Sequence, residues 1–256
     1  SMATLASLIV VMGMDTTGLK AGSAQAKGSL ASVGASAKSS LGTLMPLAAA
    51  AAGAAVIKFG VDSVKAFSEA QQIMAQTEAV LKSTGGQAGV TAQDITGLAS
   101  DLRDLTGIDD EAIQASSNLL LTFRAVHNEL GEGNDIFDQS QVAILNMATA
   151  LNHGAIPSTE GLKSATLQLG KALNDPLTGL TALRRAGVSF TAQQTEVIKS
   201  LAESGDLMSA QKLILKELEE EFGGAAKAAG DTFAGQVAKL GSEFGDLQEQ
   251  VGELLV

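Results

Sequence analysis

Apolar residues recur every three or four positions along most of this chain, which is the spacing of one buried helix face. Val56, Phe59, Val64, Phe67, Ala70, Met74, Val80 and Leu81 mark a long amphipathic helix that runs out at Gly85-Gly86. Gly85, Gly86 and Gly89 make a hinge. Thr91 then caps a helix with Asp94 in the capping-box position, and Ile95, Leu98, Leu102 and Leu105 line one face. Asp109 or Asp110 starts the next helix, whose Ile113, Leu119, Leu120, Phe123 and Val126 face inward. Asn128 to Ser140 reads as a polar loop, and Val142, Leu145, Met147 and Leu151 as another helix. Ala165, Leu167, Leu169, Ala172 and Leu173 follow, stopped by Asn174-Asp175-Pro176 because proline cannot continue a helix. Leu177, Leu180 and Leu183 form a short helix closed by Gly187, after which Thr191 caps the next with Gln194 in the box position.

The last segment has a different rhythm. Phe222, Ala226, Ala229, Phe233, Val237, Leu240, Phe244, Leu247, Val251 and Leu254 are three and four apart. From Phe233 the stripe is an unbroken heptad seam, the pattern of a left-handed coiled coil. Glycines 230, 235, 241, 245 and 252 flank it, each costing about 1 kcal/mol against alanine inside a helix. The expectation is a helix that forms only when its seam is covered. Read as one helix from Met208 to Val256, it spans about 70 Å at a rise of ~1.5 Å per residue. Phe233, Val237, Leu240, Phe244, Leu247, Val251 and Leu254 are therefore the candidate self-association residues.

The first residues are less regular. Leu5 to Met12 is short and β-branched in its second half, which suggests one strand, a segment expected either to pair between copies or to be helical in isolation. Leu19, Ala26, Leu30, Val33, Ala37 and Leu41 make a thin helical stripe that firms up on packing. Leu44 to Gly60 is the most apolar run. A membrane span needs about 20 apolar residues, and here Lys58 interrupts a run made largely of alanine. A helix buried among helices is the preferred reading, with membrane insertion of 44–60 as the alternative. The chain thus divides into an arm over 1–43, a long helix over 44–84, a compact helical domain over 85–222 and the start of a rod over 223–256. The fold class is all-α, with one possible N-terminal strand.

Composition narrows the function. The 256 residues include eight Phe, no Tyr, no Trp and three Pro, so the helices must pack largely through Ala, Leu and Gly. A net charge of −11 opposes nonspecific nucleic-acid binding, which requires Lys and Arg on phosphates. The absence of cysteine removes disulfide and thiolate chemistry. Leu5 to Met14 lacks the basic start of a secretion signal.

Four phrases carry a family resemblance: STGGQAGVTAQDI (Ser83 to Ile95), DLTGIDDEAIQASSNLLLTF (Asp104 to Phe123), LGKALNDPLTGLTALRRAGVSFT (Leu169 to Thr191) and SGDLMSAQKLILKELEEEFGGAA (Ser204 to Ala226). In this order they resemble the N-terminal region of phage tail tape-measure proteins. The resemblance implies a long helical virion protein inside the tail tube, whose length sets tail length and which leaves when DNA is ejected. It implies copies of itself, tail-tube subunits, assembly chaperones and a terminator or baseplate protein as partners, with host membrane contact on ejection. It places the chain in the tube lumen, and in the bacterial cytoplasm during assembly. Family members are usually several times longer, so the chain is expected to be a fragment, with Ser1-Met2 a cloning remnant.

No residue set reads as an enzyme or cofactor site. His127 and His153 lack the spacing of zinc ligands. Asp109-Asp110-Glu111 sits where a helix begins, so cap and dipole roles explain it as well as a cation does. Glu129, Glu132, Asp135 and Asp138 lack the alternation and closing Glu of a calcium loop. Gly170-Lys171 fails as a phosphate loop because Ala165 and Ala172 stand at required Gly and Ser/Thr positions, and Gly85, Gly86 and Gly89 follow no clear strand. Arg184-Arg185 fits a solvated helix end as well as a docking pair. Glu217, Glu219, Glu220 and Glu221 form an acidic face that can also repel an acidic tube wall.

Overall fold

The computed structural model describes residues 45–256. The expected strand at Leu5 to Met12 and the thin stripe from Leu19 to Leu41 lie outside them. The chain divides into two compact units, Ser1–Lys58 and Phe59–Val256. The described part of the first is helical from Met45.

The described residues are all-α. Helix α1 spans Met45–Ser83, α2 Ala92–Thr106, α3 Asp110–Leu120, α4 Ile136–Leu151 and α5 Thr159–Asn174. They are followed by α6 at Pro176–Arg185, α7 at Ala192–Glu203, α8 at Leu207–Phe222, α9 at Ala225–Gly230 and α10 at Phe233–Leu255. Among the described residues β pairing is limited to one antiparallel bridge, Asn128 with Asp135, at the neck of the polar loop.

Local chemistry sets most boundaries. Thr91 Oγ1 accepts from the Asp94 N–H at 3.2 Å, while Asp94 Oδ2 accepts from the Thr91 N–H at 2.8 Å, so both halves of the capping box are made. Thr191 and Gln194 repeat it at the start of α7. Helix α2 ends at Gly107, which takes the left-handed conformation (φ 71°) and returns its N–H to Arg103 O at 2.7 Å. Pro176 opens α6, where the N–H it lacks has no helical partner to lose.

Helix α4 is the centre. Ile136, Phe137, Ile144, Leu145 and Met147 are buried in it, and it packs against α3, α5, α8 and α9. Leu120, Leu162, Leu169, Leu173, Leu183, Ile198 and Ile214 from the other helices belong to the same buried core. At full burial each such side chain contributes about 1.5–3 kcal/mol. A polar network runs through the middle. Gln141 Nε2 donates to Ser117 Oγ at 2.5 Å, and the Ser116 and Thr166 hydroxyls lie 2.7 Å apart. These bonds join α3, α4 and α5 in one register.

The single helix expected from Met208 to Val256 is instead three. Gly223 sends its N–H back to Glu219 O at 2.9 Å, and Gly224 turns the chain through the left-handed region (φ 77°). Thr232 then caps α10, its Oγ1 accepting from the Gly235 N–H at 3.0 Å. Ala226 and Ala229, read as earlier positions of the same apolar stripe, are buried in the body, where α9 packs on α2 and α4. Gly230 passes so close to α2 that a Cβ there would stand 2.6 Å from Thr106 O.

Candidate functional site

Helix α10 presents two unlike faces, and together they form the candidate site. The outward face is the heptad seam. Phe233 is 86 % exposed, Leu240 65 % and Leu254 86 %. Val237, Phe244 and Leu247 are exposed as well, and Val251 is half-buried. Phe244 has one ring neighbour, Phe59 of α1, at 5.9 Å between centroids. Val61 and Val64 of α1 add exposed apolar surface of their own. The structure thus shows α10 helical while most of its seam is open to solvent.

The helix is held by its other side. Gly235 lies against the backbone of Ala229 and Gly230, and Gly252 against the backbone carbonyl of Ser63. A Cβ at either position would collide with main chain, so these glycines, read from sequence as a cost, are what allows the contact. Lys239 Nζ donates to Leu105 O at 3.1 Å, at the C-terminal end of α2. Arg103 Nη1 reaches both oxygens of Asp246 at 2.8 Å and Asp110 Oδ1 at 3.3 Å, while its Nε donates to Asp104 at 3.1 Å.

The Arg103 guanidinium is buried. Burial works against its charge, and Asp110, Asp246 and Asp104 together overcome that and raise its pKa. Burial lifts Asp246 above the ordinary carboxyl range, with Arg103 pulling the other way. Next to this cluster the Glu111 side chain at the start of α3 and the Glu249 side chain on α10 line the same cleft. Burial first, then the Glu249 carboxyl and the charges of Asp109 and Asp110, push Glu111 up to about 9. Glu249 is raised too, chiefly by burial.

These groups border an open cleft of about 550 Å³ between α10, α1, the start of α3 and Ile156 to Thr159. Glu69, Asp109, Asp110, Glu111, Asp246 and Glu249 give it an acidic lining. Asp109, Asp110 and Glu111 bring carboxylate oxygens within 4.8 Å of one another. Arg103 compensates part of that charge from within the protein through Asp110, and no cation is assigned there.

The remaining sequence candidates have local roles. His127 Nε2 lies 2.9 Å from Glu129 Oε1, and His153 occupies the left-handed turn after α4 (φ 57°). Asp135 Oδ1 accepts from Gln139 Nε2 at 2.7 Å, and Asp138 is held above its ordinary range by burial. Gly170 sits inside α5 beneath the Phe123 ring. Arg184 meets Thr195 Oγ1, Glu217 meets Gln194, and Glu221 Oε1 accepts from the Ser189 N–H at 2.7 Å. The acidic face before α9 is thus partly spent on anchoring the turn into α7, while Glu220 pairs with Lys216 at 3.5 Å. Among the described residues no helix is long and apolar enough to cross a membrane.

Sequence reasoning missed Arg103 and the Glu111–Glu249 pair. One signal was there to read. Lys239, Asp246, Glu249 and Glu253 all fall opposite the heptad seam, interspersed with Gly235, Ser242, Gly245 and Gly252. A helix face of small residues and charges suits close backbone docking with electrostatic anchors. No protein-family model, curated protein or solved structure matches the chain at a significant level.

Proposed function

We propose that this chain is the N-terminal part of a phage tail tape-measure protein, a structural component that sets tail length during assembly and leaves on DNA ejection. Four ordered phrases support the family reading, and the outward seam of α10 is the observation that carries the mechanism. A folded helical body presents an apolar heptad stripe, and copies of the chain cover one another's stripes. The flanks favour that pairing. The residues beside the seam are Ala234, Gln236, Gly241, Glu243, Gln248 and Gln250, with a single charge among them, so like-charge repulsion across the joint is small. Partners in this reading are further copies, tail-tube subunits, assembly chaperones and a terminator or baseplate protein. The site is the tube lumen, reached from the host cytoplasm.

Light scattering on the eluting chain tests the mechanism. The chain should form a discrete multimer at tens of micromolar. A Leu240→Glu, Leu247→Glu variant should be monomeric with unchanged helix content, since both side chains are already solvent-exposed. A monomer at every concentration, or a multimer untouched by the double substitution, overturns the proposal.

A further inference from the structure

Leu130 is the most exposed large apolar side chain among the described residues, at 98 %. Singly exposed apolar residues are ordinary, but this one is carried on a closely tied loop. The Glu129 N–H donates to Asn134 O at 2.9 Å, Asn134 Nδ2 to Leu130 O at 2.8 Å, Lys212 Nζ to Asn134 Oδ1 at 2.6 Å and Gln139 Nε2 to Gly133 O at 3.3 Å. Gly131 permits the turn: its φ is 120°, and a Cβ there would stand 2.7 Å from Asn134 Nδ2. The Glu132 N–H and C=O take part in none of these bonds. The loop thus holds a leucine out in water and leaves main-chain groups open beside it. A knob already ordered loses little conformational freedom on binding.

A cleft of about 270 Å³ opens between α1, α3 and the start of α5. Small-molecule sites begin at roughly 300 Å³, so its size suits one side chain with adjoining main chain. Val80, Ala115, Leu119 and Leu162 give it apolar walls. Asn118 belongs to the same wall at 3 % exposure, and neither its Oδ1 nor its Nδ2 has a hydrogen-bond partner. Buried polar groups are nearly always paired. An amide is matched by a group offering a donor and an acceptor side by side, as the main chain of one residue does. The one charged residue lining the cleft is Lys163, which Glu160 meets only at 3.7 Å with both side chains exposed.

We propose that copies of this chain make a head-to-tail contact: Leu130 of one copy enters this cleft on the next, and the Glu132 main chain meets the Asn118 amide. Leu130 does not fill the cleft of its own chain, because it stands in solvent there. The apolar walls take the leucine, and the size of the cleft leaves room for the main chain beside it. Charge agrees in sign, an acidic loop against a cationic rim. Glu129 already meets His127, so Glu132 is the carboxylate that faces Lys163. Knob and cleft are different surfaces, so the contact is heterologous and builds rings or open files of molecules. It is separate from the α10 seam and does not depend on the tail assignment.

The chain has no cysteine, so single-cysteine variants read the contact by disulfide trapping. Glu129→Cys places a thiol next to the knob and leaves Leu130 and Glu132 in place. Thr122→Cys places one at the exposed edge of the cleft. Two cysteines are bridged only when their Cα atoms come within about 7 Å. Mixed in a glutathione buffer, the two variants should form their mixed disulfide about tenfold faster, or more, than Glu129→Cys with Ser204→Cys, because docking raises the local thiol concentration. Ser204 is an exposed position outside the cleft. The α10 seam is common to both mixtures and cancels. Leu130→Asp, added to the Glu129→Cys chain, should abolish the excess without disturbing the fold, since that side chain lies in water. No excess over the Ser204 mixture, or an excess that survives Leu130→Asp, overturns the proposal.

Discussion

At the scale of single residues, position in the hydrogen-bond economy matters more than chemical type. Gln211 of α8 is a glutamine among many, yet its Nε2 donates to Ala125 O at 2.7 Å and to Leu173 O at 3.0 Å, almost without exposure. It closes two carbonyls at the junction of α5, α8 and the loop after α3. Leucine fills much the same volume and closes neither. Gln211→Leu should lower unfolding stability by about 1–3 kcal/mol, the cost of buried unsatisfied groups, and urea denaturation checks it. Asn146 works in the same way, its Oδ1 accepting from the Ala226 N–H at 3.0 Å to seat α9. Such residues were invisible in the sequence, because nothing local separates a glutamine that bridges two distant carbonyls from one that points to water. Thr91 and Thr191 were legible because their partners lie three residues away. Arg103 was not, since Asp246 lies 143 residues further on.

At the scale of elements, the helical period announced the helices, and capping residues and prolines announced their ends. The course of the last helices was misjudged for a definite reason. A run of three- and four-residue spacings continues across Gly223-Gly224 and Asp231-Thr232, and periodicity counts apolar positions without seeing the turns between them. Gly224 in the left-handed region and the Thr232 cap break what the count joins. The two faces of α10 then part company. The seam was read correctly as apolar, while the glycine side was read as a penalty rather than a landing surface. Gly252→Val puts a branched side chain against the Ser63 carbonyl and the Phe67 Cβ. Overpacking of this kind costs about 1–3 kcal/mol. The α10 amides should lose exchange protection while those of α4 keep theirs, which separates undocking from unfolding.

At the scale of the whole molecule, charge and apolar surface oppose each other. A chain of net charge −11 repels its copies over distance, yet its exposed stripe is nearly free of charge along both edges. Salt screens the long-range repulsion, with a Debye length of about 10 Å at 0.1 M and ~3 Å at 1 M, and leaves apolar contact intact. Self-association through the stripe should therefore strengthen as sodium chloride rises from about 0.02 to 0.5 M. Sedimentation velocity measures it, and weakening with salt would point to an ionic contact instead. The all-α class and the position of the stripe were readable from the chain. The acidic cleft was not, since α1, α3 and α10 bring its carboxylates together from distant stretches.

Thr232 gives α10 its own beginning, while Asp246 and Gly252 fasten it at fixed angles around its axis. One inserted residue turns everything downstream by about 100°, as 3.6 residues per turn requires. Insertions between Thr232 and Gly252 would thus carry anchor and glycine out of alignment with Arg103 and Ser63. Past Gly252 no such bookkeeping applies. A change of length there leaves Asp246 and Gly252 in register with Arg103 and Ser63.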